Sequence, residues 1–282
     1  MIIRGQVFDW GSRTYLMGIL NLTPDSFSGD GLAMRPPEAI AGHATHMVAD
    51  GADILDIGGE STRPGHDPVA ESDELGRVVP AIRVIRSALP DVPLSVDSRK
   101  ATVAAAALDA GADLLNDVSG VTGDGSLAVL AGARGVPYVL MHDRQLDRSA
   151  AGTVALRVVA DLAAAIDRAV VLGCPRSAII VDPGIGFGKT PAQNLELLRD
   201  LELLRDLDRP VLLGASRKST IGRVLDLPAD DRLEGTLATT ALGVASGADI
   251  IRVHDVLANQ RVARMSDAIV RGWHPAEQET DV

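Results

Sequence analysis

The sequence is poor in cysteine, in aromatic residues, in long apolar runs and in net positive charge, and each shortage removes a class of function. One cysteine, Cys174, in 282 residues excludes an internal disulfide and a thiolate metal cluster. It reads as a small apolar core filler. Aromatics make up 2% of a chain that is 46% hydrophobic, so Val, Leu, Ile and Ala must fill the core. Such side chains suit a parallel barrel packed in aliphatic layers. No apolar run reaches the length of a membrane span. The start, MIIRGQVFDWGSR, has neither a long apolar stretch nor a small-residue cleavage site. The expectation is a cytoplasmic protein without a membrane partner. Lys and Arg number 27 against 38 Asp and Glu, a net charge of −11. Nucleic-acid binding needs a basic face, so no such partner is expected. An anionic substrate would have to be drawn by a local cationic patch set against this field.

Two nucleotide signatures are missing as well. No GxGxxG follows the first apolar run, and DPGIGFGKT (182–190) lacks the full GxxxxGK[ST] spacing of a triphosphate loop. What is present is alternation. Short β-rich runs stand at 15–21, 52–59, 94–98, 112–119, 136–142, 178–184, 210–216 and 248–255, separated by helical stretches such as ATVAAAALDAGA. Strand–helix alternation implies parallel strands, and eight such units most economically close a (β/α)8 TIM barrel. The segment from about 2 to 12 would add an N-terminal β-hairpin at the barrel floor. The expected organisation is one barrel domain over 1–274 and a polar tail over 275–282. LELLRDLELLRDL near 195–207 reads as an amphipathic helix with a short local duplication.

Polar residues end nearly every strand: Asn21, Glu60, Asp97, Asn116, His142, Asp182, Ser216 and His254. In a barrel these ends converge on one mouth, where active sites sit. Asn21 either caps a turn or turns a neutral carbonyl oxygen toward a phosphate-bound metal. Asp97, Asn116 and Asp182 are each compatible with helix capping. As a set they match a 2-aminopyrimidinone edge, because a carboxylate accepts two parallel N–H bonds and an amide both donates and accepts. DIGGESTRPG (56–65) offers close backbone approach, the Thr62 hydroxyl, the Arg63 cation and a turn stiffened by Pro64. GASRKSTIG (214–222) places Ser216, Arg217, Lys218 and Ser219 between a strand and a helix, which suits an anion or a ring carbonyl. In IRVHD (251–255) Arg252 and His254 share one strand face, where they suit a diphosphate. An ion pair of Arg252 with Asp255 is the structural alternative.

The stretches GILNLTPDSFS, ADILDIGGESTRPG, LSVDS, NDVSG, VLMH, DPGIGFGK, GASRKSTIG and RVHDV together resemble, in order, the bacterial dihydropteroate synthases. The resemblance runs from near residue 15 to near 256. It implies condensation of 6-hydroxymethyl-dihydropterin diphosphate with 4-aminobenzoate in folate biosynthesis, a Mg2+ requirement, a sulfonamide-sensitive pocket and a homodimer. It assigns Asp97, Asn116, Asp182 and Lys218 to the pterin, and Asn21, Arg252 and His254 to the diphosphate and its Mg2+. Thr62, Arg63, Pro64, Phe187 and Ser219 fall to the aminobenzoate pocket. Arg63, Lys218, Arg252 and His254 are the residues it implies in catalysis. A pterin-binding methyl-carrier domain and a catalytically silent paralogue are the alternative readings. The first has no reason to keep ESTRPG or SRKS, which are both present. The second is set against the intact set of candidate residues but stays open through the altered first loop. Two departures stand out. Ser28-Gly29-Asp30-Gly31 displaces by one residue an Asp that the family carries as SFSDGG. DRQLDRSAAG replaces the usual glycine- and arginine-bearing loop after His142.

Overall fold

The computed structural model describes residues 1–23, 36–61, 68–147 and 152–273. The chain opens with a hairpin, β1 (Ile2–Ile3) paired antiparallel to β2 (Gln6–Val7). Its two linking residues, Arg4 and Gly5, both have positive φ (51° and 76°), as a tight I′ turn demands. Eight parallel strands follow: β3 (Tyr15–Asn21), β4 (Ile54–Gly58), β5 (Leu94–Asp97), β6 (Leu114–Asp117), β7 (Tyr138–Met141), β8 (Ile179–Asp182), β9 (Leu212–Leu213) and β10 (Ile250–Val253). They pair in the order β8-β7-β6-β5-β4-β3-β10-β9. A parallel bridge between Val181 and Val211, with Val181 N donating to Pro210 O at 2.9 Å, closes the ring. The eight strands read from the sequence therefore form, and they form a barrel.

Helices α1 (Pro37–Ala49), α2 (Glu71–Ala88), α3 (Ala101–Ala110), α4 (Ser126–Arg134), α5 (Val154–Val171), α6 (Pro191–Arg199), α7 (Ser219–Leu225), α8 (Leu233–Ala245) and α9 (Val256–Val270) make the outer layer. No helix among the described residues is long and apolar enough to cross a membrane.

Two differences from the sequence reading have local causes. Regular pairing of β9 is only two residues long, because the Val211 N–H donates to the Asp249 carboxylate (2.9 Å) in place of a ladder carbonyl. LELLRDLELLRDL is not one helix. It breaks at Asp200, and its second half, Leu201–Leu207, is 3₁₀. Leu201, Leu204 and Leu207 are all buried there. Their spacing of three aligns on one face at 3.0 residues per turn but drifts on an α-helix, so burial selects the tighter helix.

Strand alternation divides the apolar residues into two clusters. The larger lies between the outside of the barrel and the helices. The smaller is the barrel's own interior: Tyr15, Met17, Ile54, Leu114, Val139, Ile180, Leu212 and Ile250, with Ile3 and Phe8 of the hairpin region beneath them. Each fully buried aliphatic side chain here is worth roughly 1.5–3 kcal/mol. The few aromatics concentrate at this floor, where Phe8, Trp10 and Tyr15 stack with centroids 4.7 to 5.4 Å apart. Two residues further along the strands, on the same inward face, stand Asp56, Asn116, Asp182, Gly214 and Arg252. The apolar floor thus gives way to a polar layer, and that layer begins the site.

Candidate functional site

A cavity of about 400 Å3 opens at the C-terminal ends of the strands. Its wall includes Asn21, Glu60, Asp97, Phe187, Gly214, Ser216, Lys218, Ser219, Arg252 and His254. Most of the strand-end residues picked from the sequence are therefore neighbours in space. Asn116 and Asp182 belong to the same inward layer without lining the cavity. His142 does not join them. It is fully buried and faces the helix layer, where it meets Asp161 of α5. Parity explains this, since Val139 and Met141 occupy the inward positions of β7 and leave 142 outward. Thr62, Arg63, Pro64, the Ser28–Gly31 departure, residues 148–151 of the second altered loop and the 275–282 tail lie outside the described residues.

The centre of the site is an acid that the sequence reading passed over. Asp56, in the middle of β4, is fully buried. Its Oδ2 accepts from Arg252 Nε at 2.6 Å and from Asn116 Nδ2 at 2.9 Å. Arg252 Nη2 donates in turn to Asp97 Oδ2 at 2.8 Å. A charged side chain within the run ILDIG was the available signal, because Asp is almost never fully buried without a partner. The alternative pairing of Arg252 with Asp255 is not the one that forms. Asp255 is held bidentately by Arg217, at 3.0 Å from Nε and 2.5 Å from Nη2.

Burial sets the electrostatics. It pushes the Asp97 carboxyl up to about 7, more than the Arg252 guanidinium can offset, and Asp56 beside it adds to the rise. Asp182 is raised by burial too, against the pull of Lys218. Lys218 is pushed down to about 8 by burial although Asp182 opposes it. Burial alone would lower the Arg252 guanidinium, but the Asp56 and Asp97 carboxylates raise it on balance. Two carboxylate oxygens in this layer, Asp56 Oδ1 and Asp97 Oδ1, are buried with no hydrogen-bond partner. Buried acceptors normally have one, so the layer presents acceptors set for N–H donors that the protein does not supply.

The cation-rich side of the wall comes from the turn after β9 and the end of β10. Lys218 Nζ donates to Ile185 O and stands 4.6 Å from the centroid of the Phe187 ring. Ser216 Oγ lies 2.9 Å from His254 Nδ1 and also accepts the His254 backbone N–H at 3.3 Å. The hydroxyl has one proton and two lone pairs, so it can either donate to Nδ1 or accept from it while holding the backbone N–H. Arg217, Lys218, Arg232 and Arg252 line this wall together with Glu60 and Asp97. Glu60 is tied to Lys100 Nζ at 2.5 Å. Cys174 is 1% exposed, and burial pushes its thiol up to about 11; it is core, as its isolation in the sequence implied.

Among the described residues no group of three or more His, Cys, Asp or Glu side chains could hold a metal ion. Asn21 offers one neutral oxygen at the rim. That donor set fits a Mg2+ carried in by substrate phosphates, since Mg2+ keeps waters and takes few protein ligands in such sites. It does not fit a resident metal cage.

Comparison with known proteins agrees with this geometry. The profile of the family described as "Pterin binding enzyme" matches residues 17–254. A dihydropteroate synthase of Clostridium beijerinckii is 48% identical over 272 residues, which cover 96% of this chain and 100% of that protein. Among solved structures, a dihydropteroate synthase of Clostridium difficile in the presence of pteroic acid superposes with a TM-score of 0.87 at 46% identity, covering 94% of this chain and 100% of the other. A Xanthomonas albilineans dihydropteroate synthase with 4-aminobenzoic acid gives 0.83 at 39% identity, covering 91% and 93%. The profile match runs from the first barrel strand through His254, and the identity holds over the full length of a synthase, so the chain belongs to the pterin-binding enzymes as a member of the dihydropteroate synthase family.

Proposed function

We propose that this chain joins 6-hydroxymethyl-7,8-dihydropterin diphosphate to 4-aminobenzoate, giving 7,8-dihydropteroate and diphosphate in folate biosynthesis. One observation carries the reading: the buried, partnerless oxygens of Asp56 and Asp97 beside a cationic wall. A dihydropterin ring presents the N–H donors those acceptors need, and its diphosphate needs the cations. Asn116 has its amide nitrogen committed to Asp56, which leaves its oxygen to accept from the ring. Asp182 accepts from the 2-amino edge, and Lys218 donates to a ring acceptor.

The reaction breaks the C–O bond between the pterin methylene and the diphosphate. Negative charge grows on the leaving oxygen, where the Arg252 guanidinium and the His254 ring are placed to meet it. Asn21 would hold Mg2+ on the diphosphate, and the ion would supply further charge neutralisation there. The electron-rich dihydropterin carries the positive charge left on the methylene, and Asp97 and Asp182 lie on the side that favours it. The arylamine nitrogen donates its lone pair to that carbon, then loses a proton to water. A neutral arylamine needs no strong base. Phe187 and Ser219, with Thr62, Arg63 and Pro64 by resemblance, form the aminobenzoate pocket.

The same resemblance supports a cytoplasmic homodimer. Exposed apolar side chains on α8 and α9, Leu242, Met265 and Ile269, are a surface that a second copy would cover. The test is direct. Purified protein with pterin diphosphate, labelled 4-aminobenzoate and Mg2+ should form dihydropteroate and diphosphate one to one. Pterin binding without product would instead fit a methyl-carrier domain or a silent paralogue.

A further inference from the structure

His142 and Lys189 carry polar groups that the reaction above leaves without a task. Lys189 Nζ stands within hydrogen-bonding distance of four acceptors: His142 Nδ1 (2.9 Å), Gly184 O (3.0 Å), His142 O (3.1 Å) and Phe187 O (3.1 Å). Burial pulls the Lys189 ammonium down to about 7, and the Asp182 carboxylate opposes that pull. In the charged form, which four surrounding acceptors favour, it has three donors and no lone pair. The imidazole Nδ1 therefore accepts, and the ring proton lies on Nε2, which donates to Asp161 Oδ2 at 3.1 Å. Arg144 holds the other Asp161 oxygen at 2.7 Å. Burial and the Lys189 charge both push His142 down, to about 4, so the ring is neutral, as this arrangement requires.

The carbonyls gathered by Lys189 come from two different elements. His142 follows β7. Gly184 and Phe187 belong to the turn after β8. Gly184 has φ +67°, and a Cβ there would collide with His142 O, so the two backbones meet with no side chain between them. On its other flank the turn is held by Asn194, whose Oδ1 accepts from Gly186 N at 2.8 Å. Gly186 and Phe187 of this turn form part of the cavity wall.

We propose that Lys189 is a positioning residue for the arylamine side of the cavity. Its ammonium pins the 184–188 turn to the end of β7 and so fixes the Phe187 wall, while His142 and Asp161 fix the ammonium. The proposal rests on the assignment of Phe187 to the aminobenzoate pocket. Without the ammonium, three carbonyls lose its N–H groups, Gly184 O keeping only the Phe187 N–H at 3.1 Å, and the turn must move to rehydrate them. Of the pterin set, Asp56, Asp97 and Asn116 stand on β4, β5 and β6, away from this turn, whereas Asp182 accepts from the Gly184 N–H at 2.7 Å and Lys218 donates to Ile185 O. The pterin end is therefore disturbed less than the Phe187 wall.

The test is the split between the two substrates. Lys189→Met should raise the KM for 4-aminobenzoate by about tenfold or more, because small misplacements at a reacting pair are costly. The Kd for the pterin diphosphate, by calorimetry, should rise clearly less than the aminobenzoate KM, because only Asp182 and Lys218 of the pterin set bond to this turn. Lys189→Cys alkylated with 2-bromoethylamine rebuilds an ammonium at lysine length and should return the KM toward wild type; buried Cys174 does not compete. An unchanged aminobenzoate KM, a parallel loss of pterin affinity, or failure of alkylation to restore the KM overturns the proposal. If the Lys189 variants do not fold, Asp161→Asn is read by the same split, with an unchanged KM again overturning it. Phe187→Ala separates the two levels. No KM change at Phe187 sinks the pocket assignment itself, whereas a change at Phe187 with none at Lys189 sinks only the positioning role.

Discussion

Asp97→Asn should trade binding for stability, and the structure sets both signs. In the wild type Asp97 Oδ2 accepts from Arg252 at 2.8 Å, and Oδ1 is buried without a donor. An Asn keeps the first bond through its own oxygen. It then turns an NH2 group toward the position where the ligand's N–H must be accepted, so donor meets donor. Losing a buried charge-assisted bond and stranding its partner costs roughly 2–5 kcal/mol. At about 1.4 kcal/mol per tenfold, the Kd for pterin diphosphate should rise between about thirtyfold and a few thousandfold.

Stability should move the other way. Burial holds the Asp97 pKa near 7 instead of 3.8, so the fold favours the protonated form, which Asn mimics. Between about pH 4 and 7 the unfolded chain loses this proton while the folded chain keeps it. Wild-type stability therefore falls as pH rises through that window and levels off above it, as far as this group is concerned. The gap is worth about 4 kcal/mol at most, from about 1.4 kcal/mol per pKa step. Denaturant unfolding of both proteins should show no difference near pH 4 and a growing advantage for Asp97→Asn up to pH 8. Equal affinity for the pterin diphosphate, or a stability difference that does not grow with pH, would refute the reasoning.

Other outcomes follow from the same site. Asp182→Ala removes the acceptor for the amino edge and should weaken pterin binding by roughly 2–5 kcal/mol; calorimetry that matches wild type would remove this strand from the pterin site. Activity should disappear on exhaustive chelation and return with Mg2+, since the protein donors fit a substrate-borne ion; full turnover without any divalent ion contradicts the role given to Asn21. Arg63→Ala should raise the aminobenzoate KM and lower turnover by about tenfold or more, with pterin affinity changed only a few fold. The reverse pattern would move Arg63 to the first substrate. Cys174, buried with its thiol pushed up to about 11, should react with a thiol reagent only after unfolding; rapid labelling of the native protein would contradict its place in the core.

Much of this protein is local in origin and was therefore legible in the chain. Strand–helix alternation depends on short-range periodicity, and it specified eight parallel strands and their order. Polar residues at strand ends were visible one by one, and strand polarity in a barrel brings Asn21, Asp97, Ser216 and His254 to one mouth. The family resemblance was carried by contiguous motifs such as ESTRPG and SRKS. Tertiary structure decided the pairings. Asp56 and Arg252 are 196 residues apart in sequence, and no spacing rule links them. They meet because barrel closure brings β10 beside β3 and puts both side chains on the inward face. For the same reason Asp255 went to Arg217 and not to its near neighbour Arg252. His142 shows the limit of reading strand ends as a set, because one step in alternation turns it from the cavity to the helices and to Lys189. The duplicated LELLRD shows it again, since two identical six-residue segments differ in helix type only because they bury different faces. Periodicity is written residue by residue, whereas partners are chosen by a closed ring of strands that exists only after the chain has folded.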